Sequence, residues 1–546
     1  MRSKIHELHK TTNMKVSKPI LNCFLILSVL AMSSCSKSWV DTKPNGTASS
    51  AYLWDNETDA TRGTAALYIA MKDEPTWGRN LFWMQNASDD LIVGRPKAKA
   101  ENIKNFVCTG NEDYMAGGWS DLYSMLSKAN QAVVGLKAAT NLPADFRNRS
   151  LGEAYFMRGF VHFWIAYLWG HKNQGVPYDS AESAQYGLHI APQLPSVTDD
   201  YAIIAADLQR AADLLPLFST YGDADKGRAH KAAALGYLVK TYAYWAQYDA
   251  SKWALIPDLC DRIKNECGRS LITGNANPAD NYKAVFKIAN NWSSEYIWSV
   301  TSGTQGGSEF VGVVLENTGW GIYNGWGYFQ PTEELYDEYE SGDPRREATI
   351  LKFGDQFTYF GQNRSYYSTN SLSGFQINKY MEPYTYGTNG DASTNPMINQ
   401  NGDYPTTRLN LPLMRYAEIL LFKAEALIQQ GKNADAAAPL NEVRARVGLG
   451  PITTPTMVDL KHERRCELAC EWTDRFEDLK RWGDYAQINA PLHGRSYHTK
   501  TDPASGYDPI VVWPARNFDP AKHMAWPISS DEIALSAGLY KQTPGW

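Results

Sequence analysis

The chain has 546 residues, a formal net charge of −6, and 43% hydrophobic and 12% aromatic residues. That length suits one large irregular domain or two to three ordinary ones, and the acidic balance argues against nucleic acid as a partner. Seven cysteines are too few for a disulfide scaffold in a chain of this size.

The first predicted element is a leader. Lys15 and Lys18 precede an apolar run from Ile20 to Met32, too short to span a bilayer, and Met32-Ser33-Ser34-Cys35 follows. The pattern resembles a bacterial lipoprotein box, with Met32 where Leu is commoner. It implies a signal peptide over 1–34, with Met14 as its working start, and a lipid-modified Cys35. Residues 1–34 carry a net +4, so the processed chain is near −10. Residues 35–50, polar with Pro44 and Gly46, read as a tether. No later apolar run is long enough to span a membrane.

Helical pairs then recur. One helix is expected from Leu122 through Leu136. A second runs from Glu153 to Trp169, and its Phe156, Phe160, Phe163 and Tyr167 fall on one face as a core stripe. Gly170 to Pro177 ends it. Tyr201–Leu215 is Ala- and Leu-rich, and Arg228 to Lys231 leads another helix through Tyr242. Late in the chain, Arg415 begins a helix that ends near Gly431. Ala434 starts its partner, which Gly448 stops. Two helices, a short turn and small alanines at the crossing resemble a tetratricopeptide unit. The units keep no fixed period. The predicted fold is therefore mainly α, a distorted tetratricopeptide-like α-α superhelix with long loop-rich insertions and a few short strands.

Between the helical parts, Asn281 to Asn410 is rich in Gly, Ser, Asn, Tyr and Trp. A strand is expected at Tyr296–Val300 and a Gly-aromatic loop from Trp320 to Phe329. Long loops of this kind carry function. Further on, Glu463, Arg464, Glu467, Glu471 and Arg475 fall at helical spacing and read as an ion-pair ladder. Cys466 and Cys470 read as buried structural cysteines. His462-Glu463 lacks the second His of a zinc-protease helix, and no Gly-x-Ser-x-Gly or phosphate loop is present. No metal, cofactor or catalytic residue is expected.

These landmarks together resemble the SusD/RagB family of outer-membrane nutrient-capture lipoproteins. The blocks, in order, are Glu153-Ala154 through Phe160 with Gly175-Val176-Pro177, Gly227-Arg228-Ala229, and Asp343-Pro344-Arg345. Then come Arg415-Tyr416-Ala417-Glu418, Asn441 to Arg446, Arg481-Trp482-Gly483, and the closing Gln542-Thr543-Pro544-Gly545-Trp546. Gly159 stands where alanine is commoner, and Thr543 and Trp546 depart from the family's Asn and Tyr. The resemblance divides the body into an N-terminal helical-repeat region, 51–290, and a C-terminal region, 291–546. It implies binding of a nutrient polymer, usually an oligo- or polysaccharide, as the lid of a SusC-like TonB-dependent transporter.

Two segments suit a sugar, whose apolar face meets flat rings and whose hydroxyls meet amides and charges. The first holds Trp77, Arg79, Trp83 and Asn86, where Trp83 and Asn86 match the family's site by type and spacing. The second is the Gly-aromatic loop, with Trp320, Tyr323, Trp326 and Tyr328. Packing of these rings onto the helices is the competing reading for each residue. Capture of a peptide or protein fragment by the same architecture is the alternative function. A hydrolase is disfavoured because no acid–base pair is visible.

Overall fold

Glycine and proline set the helix ends, and alternation of large and small side chains sets how closely the helices cross. In the computed structural model, residues 53–179, 182, 191–302, 310, 327–359, 362–366, 371–380, 409–472 and 474–546 are described. Trp54–Trp546 forms one compact unit. The helices that set its architecture are α1 (Leu81–Gln85), α2 (Asp113–Ala138), α3 (Ala144–Trp169), α4 (Val197–Leu214), α5 (Lys231–Trp245), α6 (Ile256–Asn265), α7 (Tyr416–Gln429), α8 (Asn433–Arg446), α9 (Met457–Leu468) and α10 (Arg475–Trp482).

Each long helix packs on its sequence neighbour: α2 on α3, α3 on α4, α4 on α5, α5 on α6. The array continues across the insertion, because α7 packs on α5 and α6 as well as on α8 and α9. This is the expected tetratricopeptide-like superhelix.

Helix α3 lies at its centre. The sequence predicts one buried stripe, but every residue from Gly152 to Trp169 is buried. The reason is the number of neighbours. Phe160 stacks under Trp77 and meets Tyr237 edge-on at 4.8 Å, while Tyr167 meets Tyr244 at 5.1 Å. A helix covered all round must satisfy its polar groups internally. Arg158 does so with a fork onto Asp207 at 2.7 and 2.8 Å, and His162 Nε2 lies 2.9 Å from Asp200. Gly159 is explained here: a Cβ would sit 3.0 Å from Leu208 Cγ, so its absence lets α3 and α4 approach.

The α7–α8 turn is closed by Gly431 at φ +74°, a left-handed conformation that L side chains rarely take. Lys432 N–H then donates to Leu427 O at 2.9 Å.

The strands pair as short antiparallel ribbons. β1 (Leu91–Val93) pairs with β3 (Phe329–Pro331), and β2 (Tyr296–Val300) with β8 (Leu411–Arg415). The strands between them in sequence are β4 (Ile350–Lys352), β5 (Gln356–Tyr359), β6 (Gln362–Ser365) and β7 (Phe375–Ile377); β4 pairs with β7 and β5 with β6. A last hairpin joins β9 (Leu492–Tyr497) to β10 (Tyr507–Trp513). The β2–β8 register sets Tyr296 opposite Arg415, which brings Arg415 beside Glu295.

The C-terminal residues are tied down. Thr543 Oγ1 donates to Trp526 O at 2.8 Å, and Trp546 Nε1 to Ala525 O at 2.9 Å. The Trp546 ring also meets His523 edge-on and carries Lys522 Nζ 4.2 Å from its centre. An indole at the last position thus has both a hydrogen-bond acceptor and a cation.

Candidate functional site

The first candidate segment folds as a tight turn, Glu74–Gly78, followed by α1. It is apolar on every side (Leu81, Phe82, Trp83, Met84), so both its faces are buried. Trp77 is 0% exposed, stacked 4.8 Å from Phe160 and edge-on to Trp164 at 5.5 Å. Trp83 is 1% exposed, between Tyr114 (5.6 Å, near-parallel), Tyr328 (5.5 Å) and Phe329 (4.4 Å). The expectation that these two indoles face a ligand directly is corrected: they are core rings, because Trp77, in the turn before α1, packs on Phe160 and Trp164 of α3, and Trp83 packs between Tyr114 of α2 and Phe329 of β3.

Arg79 is also buried. It pairs with Glu74, donates from Nε to Asn80 Oδ1 at 3.1 Å, and lies 5.8 Å from the Tyr328 ring centre. Asn86 is buried with neither side-chain amide atom hydrogen-bonded, while its backbone carbonyl accepts from Lys104 Nζ at 2.8 Å. Tyr328 is buried at the end of the Gly-aromatic loop. Trp320, Tyr323 and Trp326 lie outside the described residues.

The structure brings Trp83, Arg79 and Tyr328 together, and it adds three residues that sequence reasoning missed. Tyr114, in the first turn of α2, is half-buried and lies over Trp83. Arg95 and Lys97, also half-buried, hold their charges 5.9 and 5.2 Å from the Tyr328 ring centre. Arg95 and Lys97 thus join Arg79, itself paired with Glu74, around one phenol ring. The signal was present in Arg95-Pro96-Lys97 directly after β1. Tyr114 was hidden because α2 begins nine residues before the predicted Leu122.

Behind α1 the charges are paired across the chain. Arg475 forks onto Asp89 at 2.7 and 2.8 Å, and Arg465 Nε meets Asp90 at 2.8 Å. Burial alone would raise the Asp89 carboxyl, but Arg465 and Arg475 outweigh it and hold it well below the carboxylate range. Burial, with Asp89 alongside, pushes Asp90 up. Burial, then Arg516, holds the Lys104 ammonium well below its usual range. The predicted helical ladder is likewise different in kind. α9 ends at Leu468, so Glu471 and Arg475 lie beyond it. Its members reach other elements: Arg345 meets Glu463 at 2.5 Å and Glu467 at 3.1 Å, and Arg446 meets Glu467 and Glu295. Arg464 joins Asp478 at 2.5 Å and both Asp474 and Glu418 at 3.1 Å. Carboxylates held this way fix elements in place.

Cys466 and Cys470 are buried free thiols, with Cys470 past the helix at φ +64°. Among the described residues no group of His, Cys, Asp and Glu is placed to hold a metal ion.

Two family models divide the chain between them. One, described as the SusD family, matches residues 283–546; the other, described as starch-binding associating with outer membrane, matches residues 33–243. The chain belongs to the SusD/RagB family. This SusD-family chain is 24% identical to SusD-like protein P2 of Formosa agariphila, over 96% of its own length and 99% of the relative's. Its fold matches a SusD-like protein of Bacteroides fragilis with a TM-score of 0.73, at 23% identity, covering 91% and 98% of the two chains. It also matches surface glycan-binding protein A of Bacteroides thetaiotaomicron in complex with laminarihexaose. That match has a TM-score of 0.67 at 20% identity and covers 89% and 99%.

Proposed function

We propose that this chain captures a carbohydrate polymer, an oligo- or polysaccharide, at the outer membrane, and delivers it to a SusC-like TonB-dependent transporter. A lipid on Cys35 would hold it there. The observation that carries this reading is the matching of a starch-binding, outer-membrane-associated family model to 33–243 of a SusD-family chain. The laminarihexaose complex of a protein with the same fold supports a glycan as ligand. No described helix is long and apolar enough to cross a membrane.

The ligand face we propose comprises Tyr114, Arg95 and Lys97, with Trp320, Tyr323, Trp326 and Tyr328 from the Gly-aromatic loop. Tyr114 offers a ring backed by Trp83, and stacking on a ring that cannot tilt costs little ordering entropy. Trp77, Trp83, Arg79 and Asn86, all buried, form the support behind it.

Migration of the processed chain through native gels loaded with single polysaccharides tests the reading, with Tyr114→Ala and Trp320→Ala alongside. Retardation by one glycan, reduced in the variants, is the expected result. No retardation by any glycan, with binding of peptides instead, would replace it with peptide capture. Cys35→Ser should move the protein out of the membrane fraction and abolish labelling by a palmitate analogue.

A further inference from the structure

A cavity opens where the start of α5 meets the approach to β2. Phe218, His230, Arg269, Trp292, Ser293 and Trp298 are among its walls, and among the described residues no Asp or Glu is. Arg269 is 4% exposed. Elsewhere in this protein Arg345, Arg415, Arg446 and Arg464 each meet carboxylates. Arg269 meets none among the described residues: its Nη1 reaches only the carbonyls of Ser293 and Tyr296, at 3.5 and 3.4 Å, and its Nε has no partner. Those contacts are at the long limit of hydrogen bonding. The face of Phe218 lies 4.7 Å from the guanidinium carbon. The second arginine of the wall, Arg228, is engaged by Glu153 at 2.8 Å.

Three more polar atoms of the lining residues are buried and unpartnered: His230 Nδ1, Ser293 Oγ and Trp298 Nε1. Buried polar groups are ordinarily satisfied, so four unpartnered polar atoms among the residues of one wall, one of them on an arginine without a carboxylate, mark this place out. Every one of the four can donate a hydrogen bond, and one carries the positive charge. Burial lowers Arg269 to about 10, so it stays protonated at neutral pH. A buried cation without an anion is unfavourable, which makes the cavity an acceptor for negative charge.

We propose that this cavity binds a compact oxyanion: a carboxylate, sulfate or phosphate group. Arg269 supplies the counter-charge, and Ser293, Trp298 and His230 supply further donors. The group could arrive as a free ion or as the acid of a larger ligand. Phe218 and Trp292, both half-buried and stacked 6.3 Å apart, form the apolar side of the cavity.

Titration calorimetry on the full-length chain in detergent tests this, with sodium sulfate, phosphate and glucuronate at constant ionic strength against sodium chloride. Saturable heat with at least one anion is expected. Glucuronate tighter than sulfate and phosphate identifies the acid of a larger ligand; the reverse order identifies a free ion. Arg269→Met should weaken binding at least tenfold and raise, or leave unchanged, the melting temperature of the unliganded protein. Ser293→Ala should weaken it severalfold and decides the matter if Arg269→Met does not fold. No saturable heat with any of the three anions, or unchanged affinity in the folded variants, overturns the proposal.

Discussion

Arg415 grips Glu471 with a two-pronged fork, Nε to Oε2 and Nη2 to Oε1, both at 2.7 Å and both side chains buried. Glu471 also accepts from Lys379 Nζ at 2.7 Å. One carboxylate therefore joins β8, the segment after α9 and the stretch after β7. Glu471→Gln would leave the buried Lys379 without a carboxylate and Arg415 with Glu295 and Glu467 alone. We expect a loss of about 3–5 kcal/mol in unfolding free energy, measured by urea titration. A loss under about 1 kcal/mol would show that the joint is dispensable.

Glu467 makes a pH prediction with a definite sign. Burial alone would raise its carboxyl, but Arg446, Arg415 and Arg345 outweigh that and hold it at about 2. In the unfolded chain a glutamate titrates near ~4.3. The stabilisation is therefore complete above that pH and is lost as pH falls towards 2, on the order of 3 kcal/mol in all. Urea midpoints measured from pH 6 down to pH 3 should fall steeply in the wild type, and Glu467→Gln should be weaker at pH 6 with a shallower slope.

Glu477 acts in the opposite sense. Burial pushes its carboxyl up to about 7, with Lys480 offsetting only part of the effect. A raised carboxyl gives stability that is present below ~4.3, the unfolded value, and is lost as pH rises through 7. Glu477→Gln should flatten the decline in urea midpoint between pH 5 and pH 8. An unchanged profile would mean that Glu477 does not control this limb.

Trp83 and Tyr114 should separate under mutation. Trp83→Ala removes a fully buried indole and should cost about 3–5 kcal/mol of stability. Tyr114→Ala removes a half-buried ring and should cost only ~1 kcal/mol, while weakening glycan binding at least tenfold. If Tyr114→Ala binds as the wild type does, the ligand face lies elsewhere.

What the sequence made legible depended on range. Phe156, Phe160, Phe163 and Tyr167 reveal α3 because helical periodicity is local, and Gly431 and Gly448 mark helix ends because positive φ is a property of one residue. The strand at Tyr296–Val300 was also readable from its own side chains. Glu463, Glu467 and Glu471 were seen as charged at regular spacing, but their partners Arg345 and Arg415 are separated from them by 52 to 122 residues. Spacing along one helix carries no information about such contacts. The same limit explains Trp77 and Trp83. Their types suit a sugar, yet whether an indole faces solvent is decided by α3 and β3, which arrive from elsewhere in the chain.

The Asp89–Arg475 fork joins residues 386 apart in sequence, and Asp90–Arg465 spans 375. A contact of that span adds loop-closure entropy to the folding barrier, so the fold closes late and slowly. During synthesis the N-terminal half emerges with Asp89 and Asp90 bare, and their arginines do not exist until the last sixth of the chain. A polypeptide that cannot complete its fold early remains threadable, which is what passage through a membrane pore would require of it under the surface location proposed above.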